Sequence, residues 1–99
     1  MTFGKYIKNS REALATSSKG YSLRKVAIAI EVEPSFLSKV ERDLVSPPSE
    51  AKIVALAGQL GEDPDMLLAM AGKVSSDLQE IIRKRPKLFA DVITQLKEE

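Results

Sequence analysis

Apolar residues recur along this chain at intervals of three and four. Nowhere do they alternate with polar residues in the manner of a half-buried strand, so the pattern predicts an all-α fold. The first helix is expected from Thr2, an N-cap, to Leu14, with Phe3, Ile7 and Leu14 inward, until TSSKG interrupts the period. A second follows Ser22 and buries Val26, Ala27 and Ile30. A third starts at Pro34, whose fixed φ and missing N–H suit the first helical position, and buries Leu37 and Val40. VSPPS cannot continue it, because successive prolines remove donors and push the preceding residue to extended geometry. The fourth helix therefore begins after Ser49, with Ile53, Leu56, Ala57 and Leu60 on one stripe and Gly61 as its left-handed stop. Asp63 and Pro64 open a fifth, which ends at Gly72 and is expected to turn Met66, Leu67 and Met70 to the core. Ser76 and Gln79 have capping-box spacing for a sixth, which carries Leu78, Ile81 and Ile82 and stops at Pro86. A seventh carries Leu88, Phe89, Val92, Ile93 and Leu96.

Only Glu31, Val32 and Glu33 separate Ile30 from Pro34, a turn short enough to set the second and third helices at a steep mutual angle, as in a helix-turn-helix. Ala27 is small where the two helices approach, and Val32 is apolar where the turn meets the core. The other side of the third helix holds Ser35, Ser38, Lys39 and Arg42 at i, i+3, i+4 and i+7, one continuous polar stripe. Such a stripe ordinarily just faces water. Joined to the tight turn it takes on a second meaning: a helix about 10 to 12 Å wide fits the major groove of B-DNA, where Lys and Arg donate to guanine and Ser bonds to several base edges.

Composition narrows the alternatives. The 99 residues, 43% apolar and 29% charged, suit a globular unit with a modest core. There is no cysteine and no histidine, which removes disulfides, thiol nucleophiles, Cys/His zinc sites and the usual neutral-pH proton shuttle. No metal and no cofactor is expected. No signal-peptide h-region and no apolar run near the roughly 18 residues of a membrane span is present, so no membrane association and a cytoplasmic location are expected. The net charge is +1, with a weakly basic first half. Ser22-Leu-Arg-Lys25 has the SxxK spacing of serine acylases but lacks SDN and KTG elements in a chain too short for that fold, and Gly4-Lys5 has no phosphate-binding loop before it. An enzyme is not expected.

The stretches YSLRKVA, VEPSFLSKVERD, a proline-containing loop, EAKIVALAGQLG and DPDMLLAMAG, in this order, resemble the lambda-repressor-like helix-turn-helix regulators of the Xre family over roughly residues 3 to 72. The resemblance implies a five-helix lambda-repressor-like DNA-binding domain, residues 1–72, followed here by a C-terminal two-helix extension, residues 73–99. It also implies a third helix that enters the major groove, usually in a dimer on a two-fold symmetric operator. Pro34, Ser35, Ser38 and Lys39 fall where the family contacts bases, and Phe36 and Arg42 where contacts to the DNA backbone are common. Further phosphate anchors are expected at the start of the second helix, from the backbone N–H groups of Ser22 and Leu23 with Arg24, and from Lys52. Glu41 matches an acidic residue that pairs in the family with a basic residue of the first helix, here Arg11. The chain departs from the pattern at Glu31 and Asp43, where glycine is common and φ is often positive, at an expected cost of about 1 to 2 kcal/mol each.

The extension has a broad apolar face, Leu88, Phe89, Val92, Ile93 and Leu96. Two readings stay open: packing on its own domain, or a homodimer interface that sets two half-sites one helical turn apart. RKRPK, residues 83–87, reads as a solvated helix end or as a further DNA contact. The expected function is a sequence-specific transcriptional regulator bound to double-stranded DNA, with no small-molecule substrate. The rival from another class is a protein-interaction module, antitoxin-like or regulator-sequestering, with weak or no DNA binding.

Overall fold

Helix boundaries follow from local capping chemistry. Thr2, Ser22, Ser49, Asp63 and Ser75 each accept a backbone N–H from the first turn that follows, and so open α1 (Phe3–Ala15), α2 (Leu23–Ala29), α4 (Glu50–Leu60), α5 (Pro64–Met70) and α6 (Ser76–Lys84). The remaining two, α3 (Pro34–Glu41) and α7 (Pro86–Lys97), have no side-chain cap and open on proline. A 3-10 turn at Lys19–Tyr21 links α1 to α2. The computed structural model describes residues 1–99, and its seven α-helices are accompanied by no strand.

The core is drawn from the first five helices alone. Phe3 and Ile7 of α1, Val26 and Ala27 of α2 with Ile30, Leu37 and Val40 of α3, Ile53, Leu56, Ala57 and Leu60 of α4, and Leu67 and Leu68 of α5 form one buried cluster. Each large side chain among them contributes roughly 1.5 to 3 kcal/mol by leaving water. Tyr6, Leu14, Tyr21, Leu23, Val32, Phe36 and Met70 cover its edges.

Two expectations are corrected at this level. Met66 is exposed and Leu68 is buried, so α5 is rotated from the expected phase. The run MLLAM is apolar at four of five positions even before alanine is counted, and such a run does not fix which face turns inward. The cap of α6 is Ser75, not Ser76. Ser76 is the first helical residue, and its N–H and hydroxyl donate to the two oxygens of Glu50 at 3.0 and 2.9 Å, which leaves Ser75 to accept from Leu78.

That Glu50 contact joins α4 to the extension. Beyond it α7 packs chiefly on α6, and neither helix contributes a buried residue. The molecule is elongated accordingly, 47 × 26 × 25 Å. The face of α7 does not pack on its own domain: Leu88 is 52% exposed and Leu96 59%, and Val92 and Ile93 also lie open, with Phe89 half-buried.

Candidate nucleic-acid interface

The turn into α3 is closed by two backbone bonds, from Glu31 N–H to the Ile28 carbonyl at 3.0 Å and from Val32 N–H to the Ala27 carbonyl at 2.9 Å. Both bonds need Glu31 in the left-handed region, and its φ is 61°. At the other end of α3, Asp43 is left-handed as well, with φ 57°. These are the two positions where the sequence lacks glycine, and each is met by a side-chain contact.

Asp43 places Oδ1 on the N–H of Gly4 at 3.0 Å and Oδ2 on the hydroxyl of Thr2 at 2.6 Å. Its carboxylate therefore sits at the positive end of α1, the favourable end for an anion. Gly4 is buried, and a Cβ there would collide with the Val40 carbonyl oxygen and the Asp43 carboxylate. The expectation that Asp43 adds free negative charge to the phosphate path gives way to this one: both oxygens already have donors.

A second tie runs through the buried middle. Arg11 Nε donates to Glu41 Oε2 at 2.7 Å and Arg11 Nη2 to Oε1 at 3.0 Å, a fork on a carboxylate, while Nη1 donates to the Tyr21 carbonyl at 3.1 Å. Both residues are buried, and no buried side-chain polar atom in the chain lacks a partner. The Glu41 hydrogen bonds raise the Arg11 pKa above its already high ordinary value, so the guanidinium is permanently charged.

Against this fixed back, the front of α3 is open. Ser35 and Lys39 are exposed, Pro34 and Ser38 are half-buried, and the side chains of Ser35, Ser38 and Lys39 make no intramolecular hydrogen bond. Arg42, exposed at the C-cap, folds back to the Ser38 carbonyl at 3.3 Å. Arg24 on α2 is exposed with no acidic partner, since the ion pairs are Arg11–Glu41 and an exposed Arg83–Glu80. The Ser22 hydroxyl is engaged as a cap by Lys25 N–H, and the backbone N–H groups of Leu23 and Arg24 carry no intramolecular bond.

Two of the expected phosphate contacts are placed differently. Phe36 packs against the core edge and its N–H is bonded to the Glu33 carbonyl, so it has no donor to offer. Lys52 turns its ammonium onto the carbonyls of Ile30 and Glu31 at 2.9 and 3.2 Å. Sequence reasoning also missed Glu62, which accepts from Tyr6 and Ser10 at 2.9 Å each and ties α1 to the α4–α5 turn. The hydrogen bond to Glu62 is the main cause that raises the Tyr6 pKa, with desolvation and the nearby charge adding to it.

A solved structure of the SinR protein in complex with the SinI protein matches this chain at 26% identity with a TM-score of 0.56, over 99% of this chain and 100% of that one. The fold is lambda-repressor-like, five helices with a two-helix extension. No protein-family profile matches the chain, and no curated protein does.

Proposed function

We propose that the chain is a sequence-specific DNA-binding transcriptional regulator that reads the major groove with residues 34–42 and acts as a homodimer joined through the extension. The single observation that carries this reading is the contrast between the two sides of α3. Its back is tied down by a buried ion pair and by Asp43, while Ser35, Ser38 and Lys39 in front have no partner within the molecule. A rigid helix with unengaged donors is what base readout requires. Arg24, Arg42 and the free N–H groups of Leu23 and Arg24 supply phosphate contacts, which fix register without reading sequence. Leu88, Phe89, Val92, Ile93 and Leu96 form the pairing face.

Selection of bound fragments from a random DNA pool, with sedimentation of the free protein, tests the reading. A two-fold symmetric consensus and a dimeric mass are expected. Failure to enrich any sequence refutes it.

A second reading has an observation of its own. The matched structure is a complex of two proteins, and the extension here carries an uncovered apolar face, both of which favour a protein-interaction module. Replacing Lys39 and Arg42 by alanine separates the two: DNA retention is lost under the first reading, and capture of a protein partner survives under the second.

A further inference from the structure

We propose that Lys52 is a positioning residue for α3: its ammonium holds the turn from which α3 departs and makes no phosphate contact. The proposal rests on the DNA-binding reading above.

Its starting point is a local conflict. Lys52 is the third residue of α4 after the cap Ser49, in the first turn, where the positive end of a helix disfavours a cation. The ammonium leaves that end and crosses to the negative end of α2, donating to the Ile30 carbonyl at 2.9 Å and the Glu31 carbonyl at 3.2 Å. Neither carbonyl receives a backbone donor, because the bonds of the turn end on Ile28 and Ala27. Lys52 therefore satisfies two carbonyls left over where α2 stops.

The location of this grip matters more than its strength. Glu31 is the left-handed residue of the turn, and a residue with a Cβ is unfavourable there. The cation thus holds both carbonyls that flank Glu31 in the least comfortable stretch of the motif. Two residues later Glu33 leads into α3 with no side-chain cap. The far end of α3 is fastened separately, by Asp43 to Thr2 and Gly4. Hydrogen bonds from outside the motif thus act at both ends of α3, and those at its beginning come from Lys52.

The full chain is titrated with a duplex taken from the selection, below the melting temperature of every variant. In Lys52→Met the affinity is expected to fall about tenfold, the loss of one charge-assisted hydrogen bond, with the slope of log K against log salt unchanged. Preference for the selected duplex over a scrambled one is expected to fall with it. In the free protein, exchange of the Val32 amide is expected to quicken. Glu31→Gly placed in the Lys52→Met background is expected to restore much of the affinity, because glycine adopts this φ without help. A slope smaller in magnitude by about 1 overturns the proposal, since it marks a lost phosphate contact. Unchanged affinity with unchanged Val32 exchange overturns it too. If Lys52→Met does not fold, Lys52→Gln, which keeps a donor but no charge, is read by the same criteria. A wild-type chain that binds no duplex ends the DNA-binding reading and the role of Lys52 in it, whereas the amide exchange alone decides whether Lys52 holds the turn.

Discussion

Where α1 begins, a glycine with no room for a methyl group meets a carboxylate with two donors. Gly4→Ala forces the Val40 carbonyl or the Asp43 side chain to move, and a loss of about 1 to 3 kcal/mol in denaturant melts is expected, as for other overpacked sites. Arg11→Ala leaves Glu41 charged and buried without its fork. A cost of about 3 to 5 kcal/mol is expected, enough to unfold much of the population, where an exposed pair would cost at most about 1. Tyr6 adds a pH signature. Its folded pKa is raised, so above about pH 10 the unfolded chain loses this proton first and stability falls as pH rises through that window. Tyr6→Phe is expected to flatten part of that fall in alkaline melts. At this scale legibility was uneven. The Arg11–Glu41 pair came from a resemblance, and the positive φ of Glu31 and Asp43 from their places in a known motif. The role of the Asp43 carboxylate was hidden, because its partners lie 39 and 41 residues away and nothing local marks them.

Helices were legible to the extent that their signals were local. Thr2, Ser22, Ser49 and Asp63 cap where their chemistry suggests, and Pro34 and Pro86 open α3 and α7, because a cap bonds within one turn and needs no tertiary partner. Legibility stopped where two neighbours were equally qualified. Ser75 and Ser76 are both competent caps, and a carboxylate 26 residues away decides between them. In α5 the tertiary fit to α4 decides the phase. Leu68→Ala is therefore expected to cost about 2 to 5 kcal/mol in chemical denaturation, while Met66→Ala stays within about 1. Equal losses at the two positions would contradict the rotation of α5 described above. Lys52 shows the opposite lesson. Its charge made it resemble a phosphate anchor, and only the proximity of α2 to the start of α4 gives it another use.

For the molecule as a whole, the body and the extension obey different rules. The body holds every buried residue, and the extension meets it through Glu50 and Ser76 with its apolar face uncovered. Placing aspartate at both Leu88 and Ile93 is expected to halve the sedimenting mass while leaving the melting of the body nearly unchanged. A duplex-binding dimer that neutralises about six phosphates should show a log–log salt slope near −5, and the aspartate variant about half of that. An unchanged mass would remove the pairing role assigned to residues 88–96. How the extension is covered was not legible, since an amphipathic pattern states that a face wants company without naming the company.

Because residues 73–99 lend nothing to the interior, they form a cassette. Another pairing element spliced in after Gly72 would leave the interior intact and change only who stands beside whom. A lineage, or a bench chimera, can thereby rewire association while the groove-facing letters of α3 stay the same.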